Sequence, residues 1–363
     1  MDNRTALLAL NEIKQVGWKT ILKLVSGLPD LSMLASLEAG DLTRLDIPLP
    51  LGEKILSALR DSGGEAWEEK YQEKGIQVVT LYDPSYPALL KQTSQPPWVL
   101  YGIGNFRLLE RPCLAMVGTR VPTPYGRKVA EDLARAMARA GFCIVSGMAR
   151  GIDTSAHRGA VSEKGGTIAM LGCGVDVLYP PENRAIYAEI GEKGLLLSEF
   201  PPGTSAKPGL FPLRNRIIAG LSWGTIVVEA ALRSGSLITA DQALEESRDV
   251  FAVPGPITSP KSLGAMSLIK QGAKLVTEPE DIWQEYAGRV SGLSWEGDKE
   301  PLQAAELTSE EEAIWNLLSH EPQTLDSILE QSQTNFGHLH TILLSLTLKK
   351  KIKPLPGAAY VVI

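Results

Sequence analysis

The chain has 363 residues, of which 44% are hydrophobic and 21% charged, and its formal net charge is −6. That length exceeds one ordinary domain, and that balance excludes a disordered chain. No apolar run approaches the ~20 residues of a membrane span. The opening MDNRTALLALNEIK has no basic lead and no small-residue cleavage site, so a cytoplasmic protein without a membrane partner is expected. Cys113, Cys143 and Cys173 each lie in or beside a short apolar run. An odd count without paired spacing predicts small core residues in a reducing compartment rather than a disulfide framework.

Charge is unevenly spread. It sums to −3 over residues 1–70, 0 over 71–110, +1 over 111–285, −1 over 286–304 and −3 over 305–363. Distribution outweighs the total in a phosphate binder, so any such site belongs to the middle of the chain.

In chain order, residues 1–65 read as short helices, with helical spacing in ALLALNEI, TILKLV, DLSMLASL and LGEKILSAL. They suggest a small helix-hairpin-helix or sterile-alpha-motif-like module. From 66 to 286, short apolar runs at IQVVTL, CLAMVG, FCIVSG, GTIAMLG, LLLSEF, GTIVVEA and DVFAVPG alternate with amphipathic stretches such as PYGRKVAEDLARAMARAG. Strands so continuously apolar are buried on both faces, which predicts an α/β domain with an extended, Rossmann-like parallel sheet. Residues 287–304 lose periodicity and read as a linker. Over 305–363, three helical patterns precede two short strands flanking Pro356-Gly357, which predicts a winged helix.

Ligands of open α/β sheets bind beyond the carboxyl ends of the strands. Four segments fall there. Gly118-Thr119-Arg120 ends a strand before a helix near Pro124, where exposed N–H groups and a guanidinium suit phosphate. A tight turn with a solvated arginine explains it equally well. Ser146-Gly147 and Arg150 lie in SGMARGIDTSAH, with Asp153 as the expected helix cap. His157 there is read as a structural residue. The third segment, Lys207 to Arg216, offers three cations, and no acid occurs from Phe200 through Val228. Arg214, Asn215 and Arg216 are expected at a helix N-terminus, with Phe211 as a stacking face. The competing readings are an apolar anchor for Phe211 and ion pairs to Glu199 or Glu229 for the arginines. Ser234-Gly235-Ser236 opens a further helix as either an anion-accepting turn or a plain cap.

No metal-ligand spacing occurs, and neither a G-x-G-x-x-G nor a Walker A sequence is present, so no metal and no cofactor are expected.

Taken together, VGTR, SGMARGIDTSAH, LGCGVDVLYP, FPLRNRIIAGLS, VVEAALRSGSLITA, FAVPG and GAMSLIKQGAKLV resemble the DNA-processing protein A (DprA/Smf) family over about 215 residues. The resemblance implies a homodimeric, non-enzymatic protein of natural transformation. Such a protein binds and protects incoming single-stranded DNA and helps load the RecA recombinase past single-strand-binding protein, a further partner. By motif, Arg120, Lys207, Phe211 and Arg214 to Arg216 would form the DNA groove, and Leu268, Ile269 and Leu275 would lie near the dimer interface. The winged helix, at charge −3 despite Lys349, Lys350, Lys351 and Lys353, is read as a protein-interaction module rather than a duplex reader. The alternative function is a nucleotide-processing enzyme of the nucleoside-monophosphate phosphoribohydrolase kind, with Glu229 the nearest candidate catalyst.

Overall fold

The computed structural model describes residues 1–61, 64–295, 307–318, 323–332, 334–348, 351–355 and 358–362. It divides into two compact units, Met1–Trp295 and Glu296–Ile363.

The first unit is built on nine strands: β1 (Gln77–Thr80), β2 (Val99–Gly104), β3 (Cys113–Val117), β4 (Cys143–Ser146), β5 (Thr167–Met170), β6 (Leu195–Ser198), β7 (Gly224–Val227), β8 (Asp249–Ala252) and β9 (Lys274–Leu275). Their order in the sheet is β1-β2-β6-β5-β4-β3-β7-β8-β9. The seven strands from β6 to β9 are parallel, and β2 joins them antiparallel. The order reverses between β3 and β7, which makes the carboxyl ends near β3 the expected ligand crevice.

Period-two alternation distributes the strands between two cores. In β3, Leu114 and Met116 pack with Ile152 and Ala156 of the helix Ile152–Ala160 and with Leu133 of the helix Pro124–Ala140. Ala115 and Val117 face the other way, toward Ile217 of the helix Leu210–Leu221 and Ala240 of the helix Gly235–Glu245. All five β3 residues are buried, as the unbroken apolar run predicts.

The N-terminal helices belong to the same unit. Leu7, Leu10, Leu24 and Ile55 share a core with Val99, Tyr101 and Leu196 of the sheet. Trp18 and Trp98 stack with centroids 5.7 Å apart. Each indole N–H donates to a carbonyl across the junction, Trp18 Nε1 to Pro96 O at 2.8 Å and Trp98 Nε1 to Trp18 O at 3.1 Å. At the other end, Val290, Leu293 and Trp295 pack on the core, although the segment from 287 reads as a linker in sequence.

In the second unit, helices Ser309–Leu317, Leu325–Ser332 and Phe336–Leu348 enclose Ile314, Ile328, Leu339 and Leu343. Three strands, β10 (Gln323–Thr324), β11 (Ile352–Leu355) and β12 (Ala359–Val362), form its sheet in the order β10-β12-β11. This is the winged-helix architecture. Lys349, Lys350, Pro356, Gly357 and the stretch 296–306 lie outside the described residues.

Candidate nucleic-acid interface

The crossover from β6 to β7 starts the helix Leu210–Leu221 beside the carboxyl ends of β4 and β5, where Arg214 meets Gly147 and Met170. Its first turn closes a cavity of about 100 Å3, lined by Arg120, Gly147, Met148, Ala149, Arg150, Leu171, Gly172, Cys173, Tyr179, Pro180, Phe211 and Arg214. Three of the four expected segments therefore meet in one place. The fourth does not line the cavity.

Arg120 follows β3 on an exposed loop pinned on both sides. Thr119 N–H donates to Glu229 O at 2.7 Å, and Ile152 N–H donates to Thr119 O at 3.2 Å. Gly118 owes its identity to packing, since a Cβ there would stand 2.6 Å from Ile152 Cγ1 and 2.9 Å from Glu229 O. Arg120 has no ion-pair partner among the described residues. Arg150, also exposed, pairs with the exposed Glu182 at 2.5 Å. Such a pair is worth little, so it can yield to a phosphate.

Between them runs the loop after β4. Asp153 does not cap the helix, as its position suggests; Gly151 occupies the cap. The Asp153 carboxylate instead accepts the backbone N–H groups of Gly147 (3.1 Å) and Ala149 (3.2 Å). Those two donors are thus taken and do not face a ligand. Met148 holds φ at +57°, a conformation costly for a side-chain-bearing residue. Its carbonyl accepts from Asn183 Nδ2 at 2.8 Å, and Thr154 Oγ1 donates to Ala149 O at 2.8 Å. The strained loop is held by side chains from both neighbouring elements.

Arg214 forms the cavity's inner wall. The helix begins at Leu210, not beyond Arg216, so the arginines sit in its second turn and away from the N-terminal dipole. Pro212 is tolerated in the first turn because its missing N–H would have no partner there. Arg214 is only 4% exposed. Its Nη1 donates to Met170 O, and its guanidinium lies against Gly147, where a Cβ would come within 2.7 Å of Cζ. Burial lowers its pKa to about 10, and the facing Asp153 carboxylate opposes that shift. Burial likewise raises Asp153, with Arg214 pulling it back. Arg216 forms a largely buried ion pair with Glu199.

Phe211 is half-buried beneath the loop at Gly172 and stacks on Tyr179, with centroids 5.3 Å apart and planes at 29°. Tyr179, 44% exposed, carries this aromatic surface to solvent. Sequence reading did not single it out. Its signal was an aromatic residue before Pro180 in a loop following a parallel strand.

Other expected residues lie elsewhere. Lys207 is exposed and Asn215 is half-buried, but neither lines the cavity. Ser146 Oγ donates to Met116 O at 2.7 Å and ties β4 to β3. Ser234 caps the helix Gly235–Glu245 through Ser236 N–H at 3.3 Å, and its hydroxyl meets Ser236 Oγ. His157 is fully buried with Nδ1 2.8 Å from Thr167 Oγ1, and burial lowers it to about 3. Thr167 Oγ1 donates to Ile144 O, so the imidazole Nδ1–H is the donor in that contact. Glu229 is buried and accepts from Thr123 N (2.9 Å) and Thr123 Oγ1 (2.5 Å), outside the cavity. Of the interface candidates, Leu268 is in the core, Ile269 is half-buried, and Leu275 on the edge strand β9 is exposed.

Among the described residues, no cluster of three or more His, Cys, Asp or Glu could hold a metal, and no helix is long and apolar enough to cross a membrane.

The fold and cavity define an open α/β protein with an arginine-rimmed, aromatic pocket beyond the carboxyl ends of its parallel strands. A family profile described as DNA recombination-mediator protein A matches residues 77–287, more than half of the chain, and one described as the DprA winged helix domain matches 298–358. The protein Smf of Synechocystis sp. is 42% identical over 234 residues, 63% of this chain and 59% of that protein. The X-ray structure of DNA processing protein A from Streptococcus pneumoniae superposes with a TM-score of 0.67 at 36% identity, covering 78% of this chain and 97% of that one. A structure of DNA processing protein A from Helicobacter pylori, described for its single-stranded DNA binding mode, gives 0.54 at 32% identity over 59% of this chain and 97% of that one. The chain belongs to the DNA recombination-mediator protein A (DprA/Smf) family.

Proposed function

We propose that the chain is a non-enzymatic, single-stranded DNA binder that acts as a recombination mediator. Arg120 and Arg150 take phosphates, and the Tyr179–Phe211 surface takes a base. The carrying observation is the cavity itself, which sets exposed guanidinium groups beside stacked rings at a strand-end crevice. Cations that follow a backbone and rings that stack on any base are the general means of holding single strands. The ligand described for the Helicobacter relative supports the same class. Lys207, Asn215 and the Ser234–Ser236 turn extend the track beyond the cavity. In this reading the protein works in the cytoplasm, where its three buried thiols stay reduced. It shelters incoming strands during transformation and passes them to RecA past single-strand-binding protein. It works as a homodimer joined near the exposed Leu275 on β9.

Anisotropy with labelled oligothymidine tests the pocket. Arg120→Ala should reduce the magnitude of the salt slope by ~0.7, one phosphate on a single strand. Phe211→Ala should cost about 1–3 kcal/mol, one stacked base. Salt-insensitive binding, or full affinity when Arg120→Ala and Phe211→Ala are combined, overturns the reading. RecA loading on strands coated with single-strand-binding protein, compared between wild type and Arg120→Ala, tests the mediator role.

A further inference from the structure

The most exposed apolar side chains fall at neighbouring strand ends. The three most exposed large ones among the described residues are Ile257 (78%), Val121 (67%) and Leu232 (61%). They lie on the loops that follow β8, β3 and β7, and these strands are neighbours in the order β3-β7-β8. The loops are bonded into one surface. Thr119 N–H donates to Glu229 O (2.7 Å), Gly264 N–H to Ala230 O (2.7 Å) and Tyr125 Oη–H to Pro254 O (3.1 Å). Gly264 has no room for a Cβ, because the carbonyl oxygens of Ala230 and Ala231 would each stand 2.7 Å from it. Exposed Tyr125 and Leu263 extend the apolar area.

The segments that form this face carry cations, of which Lys128 is paired with Asp132 at 2.8 Å. Residues 118–130, 230–240 and 254–270 contain Arg120, Arg127, Lys128, Arg233, Lys261 and Lys270, and no aspartate or glutamate. Glu229 beside them is buried against Thr123. Arg233 and Lys261 have no ion-pair partner among the described residues.

We propose that this face docks an acidic, aliphatic peptide segment of a partner protein. Isolated exposed leucines are ordinary, but a cluster rimmed by charge marks an interaction site. A second copy of the same face would set cation against cation across a two-fold interface. A nucleic acid would satisfy the cations, but Val121, Leu232 and Ile257 offer no flat surface to stack on a base, and the one exposed ring, Tyr125, is tied through its hydroxyl to Pro254 O. A peptide satisfies both features: its carboxylates are steered by Arg233 and Lys261, and its aliphatic side chains bury those three. The surface meets the proposed DNA track at Arg120 and at the Ser234–Ser236 turn, and Leu232, Arg233, Ile257 and Lys261 lie outside the pocket lining.

The test uses the full chain on arrays of immobilised decapeptides in three sets: Asp/Glu alternating with Leu/Ile, Lys alternating with Leu/Ile, and Asp/Glu alternating with Ser. The first set should be retained. Retention should fall about tenfold in Leu232→Ser with Ile257→Ser and again in Arg233→Glu with Lys261→Glu, a loss typical of an interface hot spot. Arg120 is untouched in both variants, so oligothymidine anisotropy reads the pocket separately and should be unchanged in the serine pair. Equal retention of the three sets, or retention indifferent to the variants, overturns the proposal. So does a comparable loss of oligothymidine affinity in the serine pair, which would make the face a DNA track. Loss of self-association in that pair, seen by sedimentation, would assign the face to a second copy.

Discussion

Arg214 and Arg216 stand two residues apart on one helix, and their surroundings set them different tasks. Arg214 supports the Gly147 loop from behind, while Arg216 neutralises Glu199 within the fold. Arg216→Ala would leave a buried carboxylate unpaired and should destabilise the protein by about 3–5 kcal/mol in urea unfolding. Adding Glu199→Gln should recover part of that loss, whereas a direct effect on DNA would not be recovered. His157 makes a second prediction. It is neutral and buried, with a folded pKa of about 3 that lies below the ordinary 6.5. Protonation therefore favours the unfolded chain. Stability should be full above pH 6.5 and fall by roughly 1.4 kcal/mol per pH unit as pH drops toward the folded value. His157→Gln should flatten that slope in denaturation series at pH 7.5 and 5. Only the placement of Arg120 was plain in sequence, because a strand-ending glycine marks the loop that carries it. The pairing of Arg216 stood in sequence as one reading among others, with Glu199 or Glu229 as partner, and the end of β6 brings Glu199 to it.

At the level of elements, seven strands were legible because each is an apolar run bounded by turns. β2 and β9 were not among them. β2 contains Gly102 and Gly104, and Phe106 and Gly194 O occupy the space their side chains would fill. β9 has two residues. The docking of the N-terminal helices was equally hidden, because Trp18 and Trp98 are eighty residues apart in sequence. Trp98→Ala should cost about 3 kcal/mol or more in urea unfolding, since it removes a buried indole and the stack across the junction. If those helices were an independent module, the loss would be confined to a separate transition.

The whole molecule divides after Trp295 rather than at Ala287. Trp295 stacks on Trp283 at 5.7 Å, and Ser294 N–H donates to Ala140 O at 2.9 Å. A chain ending at Trp295 should keep its oligothymidine affinity within about twofold, a change below 0.5 kcal/mol. A chain ending at Ala287 should be less stable, because it loses the packing of Val290, Leu293 and Trp295 on the core. Sequence by itself determined the α/β class, the winged helix, the family and the segments that reach the strand ends, because alternation and strand-end glycines are local signals. Tertiary structure alone decided which residues share the pocket. It drew in Tyr179, turned Arg214 inward and bound Arg216 to Glu199, because burial and pairing depend on neighbours that only the crossover brings together.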